Sequence, residues 1–102
     1  MATLKFDDVK KLHQKKYREQ FGFFLAEGEH LVSELEKAST LIPTLSHSQL
    51  YVSGNYVDWP TTLRVHSLTE RQMQQLSDTS SPQGIVACVP AQALPQVEVN
   101  SG

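Results

Sequence analysis

The sequence predicts a single α/β domain: a small layered sandwich in which a mixed or parallel sheet of about four strands is flanked by helices. Three observations lead there. At 102 residues the chain is close to the usual size of one domain. Helix-period and strand-period apolar patterns alternate along it. The runs Phe23–Ala26 and Ile85–Val89 are continuously apolar, as strands covered on both faces are.

From Thr3 to about Gln20, the apolar residues Phe6, Val9, Leu12 and Tyr17 suit one face of a single helix. Lys11, Lys15 and Arg18 follow at i, i+4 and i+7, which stacks them on a different face. Either Thr3 or Asp7 could cap the start. Gly22 breaks the pattern, the strand Phe23–Ala26 follows, and Gly28 allows a tight turn. Leu31, Leu35 and Ala38 mark a second helix of about ten residues. Glu29, Glu34 and Glu36 lie mostly off its apolar face. Pro43 marks a loop.

Gln49–Ser53 reads as the second strand. Gly54-Asn55-Tyr56 is a turn or short helical piece, closed by Trp59-Pro60. Thr62–His66 alternates and is expected to be the third strand. Thr69 and Gln72 form a Thr-x-x-Gln capping box, with Leu68 and Met73 spaced as a hydrophobic staple and Leu76 continuing the apolar face. Ser77–Gln83 is a polar loop, and Gly84 opens the fourth strand. Residues 1–89 are thus expected to be the domain, and 90–102 a linker or tail without a core of its own.

Composition excludes several classes. With 39% hydrophobic and 20% charged residues the chain is ordinary for a globular protein. No apolar run approaches the roughly 20 residues that span a bilayer, and the N-terminus has no apolar signal core. A single cysteine, Cys88, rules out an intrachain disulfide framework and fits a reducing, cytoplasmic compartment. The net charge of −2 is unremarkable, but residues 1–18 hold six of the nine Lys and Arg and only two acids. Such an imbalance fits either a basic face for a polyanion or a solvated helix face.

No catalytic or metal site emerges. There is no Gly-x-Ser-x-Gly elbow, no phosphate-binding glycine loop and no Cys-x-x-Cys or His-x-x-x-His spacing. His13, His30, His47 and His66 fall on different elements, and Cys88 lies inside an apolar strand, where a thiol is usually inert packing. Glu27 and Glu29 flank Gly28 at a strand end, where functional groups of α/β sheets tend to collect. For Glu27 the structural roles, capping the next helix or pairing with Arg18, are preferred. RNA binding is better supported. Lys10, Lys11, Lys15, Lys16 and Arg18 are candidate phosphate contacts, with His13, Gln14 and Tyr17 interleaved to pair with or stack on unpaired bases. Within the 77–83 loop, Thr79 and Gln83 are candidates for finer contacts.

Three segments in order carry a family resemblance: Lys16-Tyr17-Arg18; the apolar strand ending in Glu27-Gly28 with Leu31-Val32-x-x-Leu35 behind it; and Pro82-Gln83-Gly84-Ile85. Together they resemble the N-terminal substrate-binding domain of SpoU/TrmH-type RNA 2′-O-ribose methyltransferases of the SPOUT superfamily. The resemblance covers roughly Val9 to Val89, with Ser39–Pro60 matching only loosely. It implies a sandwich of the ribosomal-protein RNA-binding type that grips RNA, with rRNA preferred to tRNA. It further implies a separate knotted catalytic domain that uses S-adenosylmethionine and dimerises. The catalytic motif of that family is expected beyond the linker, so these 102 residues are expected to be inactive alone and to carry no cofactor. The competing expectation is a protein-interaction domain whose basic helix docks on an acidic partner or on the catalytic domain of its own chain.

Overall fold

The computed structural model of the chain describes residues 4–77 and 81–91. Along the chain run α1 (Phe6–Lys10), a 3-10 turn (Lys11–His13), α2 (Lys15–Phe21), β1 (Phe23–Glu27), α3 (Glu29–Ser39), β2 (Gln49–Val52), β3 (Arg64–Ser67), α4 (Glu70–Ser77) and β4 (Ile85–Pro90). The four strands form one mixed sheet in the order β1-β4-β2-β3. β2 and β3 are parallel, while β4 runs antiparallel to both β1 and β2.

Strand alternation assigns the core. Ile85, Ala87 and Val89 of β4, Leu50 and Val52 of β2, and Phe24 and Ala26 of β1 face Val32 and Leu35 of α3 and Leu45 of the loop after it. The intervening residues Val86, Cys88, Tyr51, Phe23 and Leu25 face Val9, Leu12, Met73 and Leu76 on the opposite side. Two cores therefore share one sheet, with α3 covering one face and α1 and α4 the other. Each fully buried aliphatic side chain stabilises the fold by roughly 1.5–3 kcal/mol.

The capping box forms as its spacing predicts. The Gln72 backbone N–H donates to Thr69 Oγ1 at 3.1 Å, and the Thr69 N–H donates to Gln72 Oε1 at 2.9 Å. Leu68 and Met73 join the same apolar cluster, as a staple requires.

The expected first helix is two helices. Gln14 is extended (φ −100°, ψ 133°), so α1 and its 3-10 turn end there and α2 starts afresh. The reason is phase. Leu12 and Phe21 lie nine residues apart, about two and a half turns of an unbroken helix, and would point in opposite directions. The break lets buried Leu12 and half-buried Phe21 enter the same core. The i, i+4, i+7 stacking of Lys11, Lys15 and Arg18 is lost with it. Lys5 occupies the N-cap of α1 and makes no side-chain cap bond, so Asp7 lies in the first turn instead. Thr3 lies outside the described residues.

Smaller differences follow from packing. On α3 the buried residues are Val32 and Leu35, and Leu31 is half exposed. The third strand starts at Arg64 rather than Thr62. β1 is an edge strand of intermediate burial, although both its faces carry apolar neighbours. Ser77 belongs to α4, and β4 extends through Pro90, which pairs with Phe23. The ladder to β2 ends at Cys88, so the missing proline N–H breaks no bond there.

Candidate nucleic-acid interface

Four of the five predicted basic residues are held lightly. Lys10 pairs with Asp7 at 3.2 Å, Lys11 with Asp8 at 3.5 Å and Lys15 with Glu19 at 3.9 Å, each one helical turn apart. The ammonium groups of Lys11 and Lys16 lie 5.4 and 5.0 Å from the centroid of the Tyr17 ring, which stacks on Phe21. Exposed pairs of this kind contribute about 0–1 kcal/mol, so a phosphate can replace the carboxylate at little cost. Tyr17 is half buried and belongs to both readings: it leans on a core aromatic and carries two cations.

Arg18 is held differently. Its Nη1 donates to the carbonyls of Leu12 (3.0 Å) and His13 (2.9 Å), which the break at Gln14 has left without helical partners. Nε2 of His13 bonds the carbonyl of Leu76 near the C-terminus of α4. A carbonyl can only accept, so that ring nitrogen carries the proton. Arg18 thus fastens α2 to the turn before it, and His13 ties the basic segment to α4. Between the segment and the sheet lies a cleft of about 310 Å³, lined by Leu12, His13, Arg18, Leu25 and Glu27 among others.

Glu27 joins this cleft to the loop before β4. Its Oε2 accepts the backbone N–H of Gln83 at 3.0 Å. It therefore neither caps α3, whose N-cap Gly28 has no side-chain bond, nor appears among the ion pairs of the described residues. Gly28 has φ +114°, and a Cβ there would lie 2.9 Å from Gln83 Oε1. The Gln83 side chain thus rests where only glycine leaves room. Its far side borders a second cleft of about 300 Å³, lined by Asn55, Tyr56, Glu70 and Gly84 among others. Gln83 is exposed, whereas Thr79, the other predicted loop contact, lies outside the described residues.

The sequence reading missed the Glu27–Gln83 bond and that Asn55 lines the same cleft as Gln83. The signals were present: Glu-Gly closing an apolar strand, and Gly-Asn closing the next. Residues 56 apart cannot be matched from spacing alone.

The remaining chemistry is quiet. Burial pushes the Cys88 thiol up to about 12. Among the described residues no group of three or more His, Cys, Asp or Glu could hold a metal ion. Among them no helix is long and apolar enough to cross a membrane.

Residues 5–87 match the family described as "MRM3-like substrate binding domain". The chain belongs to this family. The MRM3-like domain is 34% identical over 84 residues to the 23S rRNA (guanosine(2553)-2′-O)-methyltransferase RlmP of Bacillus subtilis, covering 81% of this chain and 33% of that protein. Its fold is similar to an AdoMet-bound rRNA methyltransferase from Sinorhizobium meliloti, with a TM-score of 0.60, 20% identity, and coverage of 83% of this chain and 32% of that one. A TrmH-family putative RNA methyltransferase from Porphyromonas gingivalis gives a TM-score of 0.58 at 20% identity, over 92% of this chain and 38% of that one. The MRM3-like domain thus spans about a third of the length of these relatives.

Proposed function

We propose that this substrate-binding domain grips ribosomal RNA and delivers a ribose hydroxyl to the methyl-transferring part of a longer, cytoplasmic 2′-O-methyltransferase. The observation that carries the reading is the basic segment of residues 10–18, whose lysines hold only weak, exchangeable partners and whose Leu12, His13 and Arg18 line the same cleft as Glu27. Lys10, Lys11, Lys15 and Lys16 supply sequence-independent phosphate contacts. Arg18 sets the shape of the segment and adds its charge, while Gln83 and Thr79 make contacts nearer the bases. The family membership and the rRNA methyltransferase names of the relatives support the choice of RNA. S-adenosylmethionine and dimerisation belong to the catalytic part, and no step of methyl transfer is assigned to residues of this chain.

The test is binding of the 102-residue chain to labelled segments of 23S ribosomal RNA over a range of salt. Four or five phosphates on unpaired RNA give a slope of log K against log salt of about −3. The triple variant Lys11→Glu, Lys15→Glu, Lys16→Glu should lose most of the affinity and flatten the slope. A flat response in the unaltered chain, or full affinity in the triple variant, removes the basic segment from any RNA site.

A further inference from the structure

We propose that Glu27 is a positioning residue for RNA recognition: it fixes the 81–84 segment so that Gln83 is held ready to meet an unpaired base. The inference rests on the RNA-binding reading above and goes beyond it by giving a role to an acidic residue inside a basic site. Three contacts carry it. The Glu27 carboxylate takes the Gln83 backbone N–H. The side-chain amide of Gln83 lies against Gly28, at a spot that a Cβ would close. The Gly28 N–H in turn bonds the Ile85 carbonyl at 2.9 Å, locking the strand end to the start of β4.

The arrangement restrains Gln83 from both ends while leaving it exposed. A primary amide offers donors and an acceptor side by side, which suits the edge of a splayed base. Ordering a loop and a flexible side chain during binding weakens a complex, and doing so beforehand removes that loss. The lysines have no such need, because phosphate contacts tolerate mobile side chains.

The charge of Glu27 makes the test sharp. A carboxylate lining the same cleft as Arg18 repels an RNA backbone. On electrostatics alone, Glu27→Ala should therefore tighten binding. The positioning role predicts the opposite sign: Glu27→Ala should weaken binding by about fivefold, the worth of one hydrogen bond. Glu27→Gln retains an acceptor and loses the charge, so it should bind at least as tightly as the unaltered chain.

The measurement uses the same 23S segments and salt series, with thermal melts to verify folding. Gln83→Ala should weaken binding by a similar factor, and the Glu27→Ala, Gln83→Ala double variant should be no weaker than Gln83→Ala alone. None of the three should change the salt slope much, because no phosphate contact is removed. Should Glu27→Ala melt below the assay temperature, Glu27→Asp takes its place, since its carboxylate is one methylene short of the bond but keeps the charge. Glu27→Ala binding as tightly as the unaltered chain or tighter, or adding its full effect to Gln83→Ala, overturns the positioning role while the lysine-dependent binding stands. Absence of salt-dependent binding in the unaltered chain overturns the RNA reading, and this role with it.

Discussion

Arg18 offers the most direct way to separate architecture from RNA contact. Two carbonyls, those of Leu12 and His13, depend on its Nη1. The bond to Leu12 is partly buried, so its loss leaves a carbonyl with poor access to water; a hydrogen bond to a charged donor contributes roughly 1.5–3 kcal/mol. The bond to His13 is exposed, and water largely replaces it. Arg18→Ala should therefore destabilise the chain by about 2 kcal/mol. For a domain of this size that lowers Tm by roughly 10 °C. Arg18→Lys is the informative partner, since it keeps the positive charge but not the planar fork that reaches both carbonyls. It should lose at least half of the same stability, read by urea unfolding, while the salt slope of RNA binding stays unchanged. If Arg18→Lys melts with the unaltered chain yet loses RNA affinity, the guanidinium is a phosphate ligand and the clamp is incidental.

Other expectations follow from single features. Thr69→Ala opens the capping box of α4 and should cost about 1 kcal/mol in denaturant unfolding, with no effect on the salt slope. Cys88, buried and with its thiol pushed up to about 12, should resist a thiol reagent at pH 8 and react only after unfolding in guanidinium. Burial, with a smaller contribution from the charge of Arg64, lowers the pKa of His66 below its ordinary 6.5. The unfolded chain therefore binds this proton first, and the stability that His66 contributes is present above that value and lost as pH falls below it. Urea midpoints should drop between pH 8 and pH 5, and His66→Asn should flatten the drop.

The capping box, the strands and the helix–strand alternation were legible because each rests on local spacing. Thr69 and Gln72 are three residues apart, and the apolar run of β4 needs no distant partner to be recognised. The break at Gln14 was not legible in the same way. Lysine and glutamine are good helix formers, and only the demand that Leu12 and Phe21 share one core rotates the second helix out of phase. The same limit applies to the face of α3, where the Gly28 turn sets the phase and buries Val32 in place of Leu31. For the candidate site, the cationic segment was readable as charge, but the use of Arg18 as a clamp was not. Nothing in Lys-Tyr-Arg announces that two carbonyls nearby will lack partners. The bond between Glu27 and Gln83 is tertiary in the same sense, since it exists only once β1 lies beside β4.

The position of β4 has a consequence for how the domain is made. Among the described residues it is the last strand in sequence, yet it stands between β1 and β2 and bonds to both. Until it arrives, β1 has no strand to pair with and the two cores have no shared wall. A ribosome that has released everything up to α4 therefore presents a chain with helices and one short parallel pair, but no sheet to bury them against. Completion of the sheet must wait for β4 to clear the exit tunnel, because the pairings that close it join residues 33 to 39 positions apart to β2 and 59 to 67 apart to β1. Pairings that distant close slowly. A chain stalled or cut just before Ile85 would lose the whole domain rather than one edge of it.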